Sequence, residues 1–390
     1  GERGGGSGND MQRGRRVSRA GDCEAGEKHE QPQPASVEKY AHTIHTEDYY
    51  PNEEGYSMNT VILDATPENI SKCAALIRKG EVVAFPTETV YGLGANALDA
   101  DAAAKVFRAK GRPATNPLII HVADKSQIDA VAEVSDDARR LIDGFMPGAL
   151  TLVLPKRGGV PDIVTAGYDT VAVRMPDHKV ALDLIREAGV PVCAPSANTS
   201  ARPSPTRASH VYDDLKGKIP AILDGGMCPL GLESTIVDMT KTPPKVLRAG
   251  AVEIDSVAEV IGDLDTEQVM VDTLAALKIP TNYVPKAELV FSAFYDNMSE
   301  VIARYYDSNV LTHGARPVIF CMNFNADKYG SRNVMLMGES VAEYAKLLFE
   351  RIREAENLDY NLIIAEGVPM GGMGTTVLSR LIKLSGGKVI

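Results

Sequence analysis

From Thr60 onward, short apolar runs alternate with stretches whose apolar residues recur every three or four positions, the pattern of strands interleaved with amphipathic helices. Pro67 to Lys79 carries Ile70, Ala74 and Ile77 on one helical face and stops at Gly80. Glu81 to Phe85 then reads as a buried strand ending at Pro86. The spacing predicts a helix over Ala100–Lys110 closed by Gly111, a strand over Leu118–Val122 and a helix over Asp136–Phe145. Further strands are predicted at 150–154, 170–174, 190–194, 220–223, 234–239 and 245–248, with helices at 178–188 and 207–215. This mix predicts an α/β domain, 58–250, on a sizeable, twisted, mixed sheet.

Regular spacing lapses between Ala251 and Pro285. Two short helical stretches are expected there, followed by IPTNYVPK, whose prolines disfavour a continuous element; 251–286 therefore reads as a linker. Strands then return at Glu288–Phe294, Pro317–Phe320 and Tyr360–Ala365, alternating with helices at Asn297–Tyr306, Ser340–Glu356 and Thr375–Leu384. That alternation predicts a smaller, Rossmann-like C-terminal α/β domain over 287–390. Residues 1–57 differ from both. They are glycine-rich, then basic, then rich in Glu, Gln, Pro and His, and carry too little apolar surface to offset the entropy of ordering. They read as a disordered tail with no secretory h-region.

Charge and cysteines narrow the classes. A formal net charge of −11 over 390 residues argues against broad, non-specific binding to nucleic acid or an anionic membrane, so functional cations must be local. No apolar run approaches the roughly 18 residues of a membrane span. The five cysteines are scattered without a CxxC pair, which suggests neither a zinc site nor a disulfide framework and fits a reducing cytoplasm. Four of them read as small buried hydrophobes and Cys23 as a tail thiol.

Polar residues collect at strand and helix ends, where α/β proteins place ligands. PTETVYGLG, Pro86 to Gly94, follows a buried strand; it is either a ligand loop or a Thr/Gly turn. KGRPATNPL, Lys110 to Leu118, offers Lys110 and Arg112, with His121 on the next strand. The two cations suit phosphate oxygens, and they equally suit the dipole at a helix C-terminus. CAPSANTSARPSPT, Cys193 to Thr206, supplies hydroxyls and amides at Ser196, Asn198, Ser200, Ser204 and Thr206, in the manner of an anion-binding loop or a Ser/Pro linker. GLESTIVDM (Gly231 to Met239) and VLRAG (Val246 to Gly250) set Ser234 and Arg248 beside strands. GVPMGGMGTT, Gly367 to Thr376, lacks P-loop spacing and reads as a structural turn.

In this order, PTETVYGLGANA, KxRPxxNPL, DTVAVRMP, APSAN with SPT, and GLEST resemble the YrdC-type threonylcarbamoyl-AMP synthases in their long two-domain form, from about Met58 to Ile390. The resemblance implies condensation of L-threonine, bicarbonate and ATP into threonylcarbamoyl-adenylate and pyrophosphate. It also implies a partner transferase that carries the group to adenosine 37 of tRNAs reading ANN codons. By motif position Thr89, His121, Arg174, Ala194 (through its backbone) and Ser234 resemble the threonine-holding residues. Arg112, Asn116, Thr170, Ser196, Ser204, Arg248 and, in the linker, Tyr283 match ATP-contacting ones. Lys110 and Arg112 would meet charge developing on the phosphates. Mg²⁺ would accompany ATP, with no carboxylate cluster to mark a dedicated metal cage. Two departures stand out. FMPGALT (Phe145 to Thr151) replaces the family's tryptophan-bearing stretch, and only Asn282-Tyr283 survives of its linker pattern. A non-catalytic RNA-binding protein on the same fold is the competing class. A carbamoyl-transfer enzyme of hydrogenase maturation would need zinc-finger cysteines that are missing.

Overall fold

A computed structural model describes residues 59–267 and 285–390; the expectations for the 1–57 tail and for Tyr283 lie outside them. The first domain runs β1 (Val61–Asp64), α1 (Pro67–Arg78), β2 (Val83–Phe85), β3 (Gly92–Asn96), α2 (Ala100–Lys110), β4 (Ile119–His121), α3 (Ser126–Val131), α4 (Asp136–Phe145), β5 (Leu150–Pro155), α5 (Asp162–Thr165) and β6 (Thr170–Arg174). It continues with α6 (Lys179–Ala188), β7 (Val192–Cys193), α7 (Ala208–Leu215), β8 (Ala221–Asp224), β9 (Thr235–Asp238), β10 (Lys245–Arg248) and α8 (Ile254–Ile261). Its strands form one mixed sheet of order β1-β8-β2-β3-β7-β4-β6-β5-β9-β10.

The central strands explain why the polar loops converge. β2 and β3 are antiparallel, so Pro86–Tyr91 is the loop of a hairpin and Gly92–Gly94 is already strand. Sequence reading takes that glycine-bearing run for loop. The structure needs glycine there because a Cβ at Gly94 would lie 2.6 Å from Phe85 and 2.7 Å from Val192. β7 then pairs with both β3 and β4, and β4 pairs in parallel with β6. The β2–β3 loop, β4, the end of β6 and the segment after β7 all contribute to one place.

The α2 helix carries the basic motif to that place. Its Asp99 cap accepts hydrogen bonds from the N–H groups of Asp101 and Ala102 at 2.9 and 3.2 Å. An alanine-rich face packs inward, and Gly111 closes the helix in the left-handed conformation. Residues 251–267 are less free than a linker. Helix α8 buries Val257, Arg140 donates to the Val260 carbonyl at 2.9 Å, and Asp265 bridges to Lys245.

The second domain has β11 (Glu288–Phe291), α9 (Met298–His313), β12 (Pro317–Cys321), a 3₁₀ turn at Asn323–Tyr329, β13 (Val334–Leu336), α10 (Val341–Asn357), β14 (Leu362–Ala365) and α11 (Met373–Ser385). Its sheet is parallel, ordered β11-β14-β12-β13. Expected strand Glu288–Phe294 ends at Phe291, and the following helix continues past Tyr306 to His313. Beyond β14 the buried Glu366 carboxylate accepts from Tyr329 Oη at 2.5 Å, the Met322 N–H at 2.7 Å and Asn325 Nδ2 at 3.2 Å. That carboxylate ties the 3₁₀ turn to the sheet.

The domains meet along α10 and α11. Leu232 of the first domain belongs to the apolar core of the second. A Cβ on Gly231 would lie 2.1 Å from the Lys346 carbonyl oxygen, so the backbones touch there. The four described cysteines are all buried and unpaired, as expected for small hydrophobes. Among the described residues no helix is long and apolar enough to cross a membrane.

Candidate active site

A cleft enclosing about 650 Å³, its open mouth included, lies where the hairpin loop after β2 faces β4, the end of β6 and the segment after β7. Thr89, Arg112, His121, Arg174, Ala194, Ser196, Ser234 and Arg248 all line it. Residues from six separated motifs thus share one surface. Thr87, Tyr91 and Glu233 complete the wall.

Arg174 closes β6 and is almost fully buried. Its Nε donates to the Gly148 carbonyl at 3.1 Å, and its Nη2 lies 2.7 Å from Glu88 Oε1. The contact with Glu88 is an ion pair out of hydrogen-bond alignment, which reconciles its short distance with the unsatisfied state of these atoms. Glu88 fixes the guanidinium without saturating it, so the fork can still take a ligand carboxylate. Thr89 sits beside this pair, its Oγ1 2.8 Å from Thr87 Oγ1.

His121 ends β4 at the buried edge of the cleft. Burial, and then the neighbouring Arg174 charge, pull its pKa down to about 3. A carbonyl can only accept, so Nδ1 donates to the Ile119 oxygen at 3.1 Å and Nε2 is left as an acceptor. The unfolded chain takes up a proton near 6.5 that the folded one refuses until about 3, so acidification through that window costs stability. Nitrogen-15 spectra should show one neutral Nδ1–H tautomer unchanged from about pH 8 to pH 5. An imidazolium signature near pH 6 would overturn this assignment.

On the opposite wall, Ser234 Oγ lies 2.7 Å from Thr151 Oγ1, and Arg248 reaches the Ser234 carbonyl (Nε, 2.9 Å) and hydroxyl (Nη2, 3.1 Å). Arg112 folds back on its own loop, Nε to the Asn116 carbonyl at 3.3 Å and Nη2 to the Pro117 carbonyl at 3.2 Å. Three guanidinium groups therefore line one cleft, which suits ligands carrying more than one anionic group.

Lys110 stands elsewhere than the sequence implies. It is buried beneath the lining, and its ammonium donates to the Ser196 carbonyl, to the Asn198 carbonyl at 2.5 Å and to Asn198 Oδ1 at 3.3 Å. Burial foremost, then the Arg112 charge, lower its pKa to about 7 against the pull of Asp214. Ser204 is also buried behind the wall, its Oγ donating to Glu233 Oε1 at 2.9 Å. Asn116 is exposed on its loop and Thr170 is half-buried at the start of β6; neither lines the cleft.

Sequence reasoning passed over Glu88 and Glu233, although both lie inside motifs it quoted. Burial alone would raise the Glu233 pKa, but the Arg380 and Arg248 guanidinium groups overcome it and hold the carboxyl down to about 2. Among the described residues no group of three or more His, Cys, Asp or Glu side chains could hold a metal ion.

Fold and cleft define a two-domain α/β protein with a polar, arginine-lined site in its larger domain. A family model described as Telomere recombination (Sua5/YciO/YrdC) matches residues 75–250, and one described as Threonylcarbamoyl-AMP synthase, C-terminal domain, matches residues 275–386. A threonylcarbamoyl-AMP synthase of Pyrococcus abyssi is 43% identical over 81% of this chain and 94% of its own. That of Bacillus subtilis is 41% identical over 84% of this chain and 96% of its own. The crystal structure of P. abyssi Sua5 complexed with L-threonine superposes with a TM-score of 0.74 at 40% identity, covering 85% of this chain and 98% of that one. The chain belongs to the threonylcarbamoyl-AMP synthase family.

Proposed function

We infer that this protein is a threonylcarbamoyl-AMP synthase, an ATP-using enzyme of tRNA modification. Threonine's amine would attack bicarbonate carbon with loss of water to give a carbamate. The carbamate oxygen would then attack the α-phosphorus of ATP and release pyrophosphate. No covalent enzyme intermediate is needed, so positioning and charge stabilisation carry the reaction. The observation that supports this best is three arginines, a neutral histidine and hydroxyls converging on one cleft with no reactive thiol on its lining. Arg174 would take the threonine carboxylate, with His121 Nε2 accepting from the amine or hydroxyl beside Thr89, Ala194 and Ser234. Arg112, Ser196 and Arg248 would take the nucleotide's phosphates.

Lys110 and Ser204 would act on that half from behind the lining, where they hold the loops in place. Asn116, Thr170 and Tyr283 join the ATP contacts on motif position alone. Mg²⁺, if it accompanies ATP, would be held chiefly by phosphate oxygens, since the described residues offer no carboxylate cage. The downstream partner would be the transferase that delivers the group to adenosine 37 of tRNAs reading ANN codons.

The test is to incubate the protein with ATP, bicarbonate and each proteinogenic amino acid in turn. Mass analysis should find threonylcarbamoyl-adenylate and pyrophosphate with threonine, and no comparable adduct with the other amino acids. Failure to form any acyl-adenylate would overturn the reading and favour a non-catalytic role.

A further inference from the structure

The wall carrying Glu233 and Arg248 is not supported by its own domain alone. Arg380, on α11 of the second domain, donates from Nε to Glu233 Oε2 at 2.9 Å and from Nη2 to the Ala249 carbonyl at 3.0 Å. Both partners of this ion pair are more than nine-tenths buried. Glu233 in turn accepts from Ser204, and Ala249 directly follows Arg248, which grips Ser234. One guanidinium thus pins two separate segments of the cleft wall. Thr376, one helical turn earlier on α11, reinforces it by donating to the Gly250 carbonyl at 3.1 Å.

The charge arrangement gives this contact a task beyond holding two domains together. Glu233 places a carboxylate on a cleft whose other charged lining groups, among the described residues, are arginines. An unneutralised carboxylate in a partly desolvated wall would repel a polyphosphate and draw Arg248 onto itself. Arg380 neutralises it from behind and leaves Arg248 facing the cleft.

We propose that Arg380 is a positioning residue for the nucleotide half of the site, acting through Glu233 and the Ala249 carbonyl to set Ser204 and Arg248 for ATP. The inference rests on the ATP-binding reading given above. It predicts an effect mainly on one substrate: Arg174, His121 and Thr89 hang on β6, β4 and the hairpin loop, and Ser234, the threonine-side residue on the pinned wall, is held independently by Thr151 on β5 at 2.7 Å.

The experiment measures ATP and threonine affinities separately by calorimetry on the full chain. The proteins are wild type, Arg380→Gln, Arg380→Lys and the double variant Arg380→Gln/Glu233→Gln. Arg380→Gln should weaken ATP about ten-fold or more and leave threonine within about two-fold. Arg380→Lys, which keeps the charge but not the fork, should fall between it and wild type. Removing the orphaned carboxylate in the double variant should return ATP affinity to within about three-fold of wild type, a recovery that a purely structural contact would not give. Where Arg380→Gln does not fold, the lysine and double variants decide alone. The inference is overturned by unchanged ATP affinity in the folded single variants, by equal weakening of both ligands, or by a double variant as weak as Arg380→Gln. A wild type that binds threonine but no ATP overturns the ATP-binding reading and this inference together, whereas normal ATP binding with insensitive variants overturns this inference alone.

Discussion

Arg174→Ala is expected to raise the threonine concentration needed for half-maximal adenylate formation about 100-fold or more, while moving the ATP requirement less than about three-fold. The guanidinium is held by Gly148 and Glu88 in a buried position, so its orientation is set before substrate arrives. A preset fork loses little entropy on binding a carboxylate, and its removal costs the full interaction. The same substitution strands the Glu88 carboxylate, which should destabilise the fold by about 3 kcal/mol. Arg174→Lys separates the two effects, since it keeps a cation near Glu88 and loses the bidentate geometry. It should melt close to wild type and still need far more threonine. Equal rises in the threonine and ATP requirements would remove Arg174 from the carboxylate.

The second large effect concerns Lys110. Lys110→Met fills the same space without a donor and leaves the Ser196 carbonyl, the Asn198 carbonyl and Asn198 Oδ1 without their shared partner. Lys110 also accepts through its backbone oxygen from the Ser200 N–H at 2.9 Å, so side chain and main chain hold the same loop. Asn198 Oδ1 keeps its bond from Ser196 Oγ at 2.5 Å, but loss of the two carbonyl bonds should cost about 3 kcal/mol, a fall of roughly 10 °C in melting temperature. Adenylate formation should fall about 100-fold, because Ser196 loses its support on the cleft wall. Arg112→Ala offers the contrast. Arg112 lines the cleft and donates to carbonyls of its own loop, so its loss should weaken ATP and lower the melting temperature less than Lys110→Met does. A Lys110→Met protein of normal stability and reduced turnover would instead put the ammonium in direct contact with substrate.

Much of this site was legible as motif. The cleft-lining residues His121 and Arg174 sit at strand ends and Thr89 in the loop just beyond one, and strand ends show in a hydrophobic pattern as the point where an apolar run stops. Direction was not legible. The last residue of α2 turns inward because the loop after β7 brings carbonyls beneath it, and no local spacing encodes that crossing. Strand β3 was hidden by its glycines, which are dictated by Phe85 and Val192 on its two neighbours. Glu233 does not stand out within GLEST, because an acid on an arginine-lined wall makes physical sense only once Arg380 arrives from a helix 147 residues away.

The two walls of the cleft differ in what holds them. Both walls rise from the ten-stranded sheet, the Arg174–His121 wall from β6 and β4 and the Glu233–Arg248 wall from β9 and β10, but the second also leans on α11 of the other domain. On the proposed assignment of ATP to the α11-supported wall, this would divide the site into a conservative half and an adjustable one. Substitutions scattered over the second domain could retune the response to nucleotide without disturbing the choice of amino acid. Lineages facing different nucleotide supplies would then diverge first in α11 and its packing, while the strand ends of the larger domain stay nearly fixed.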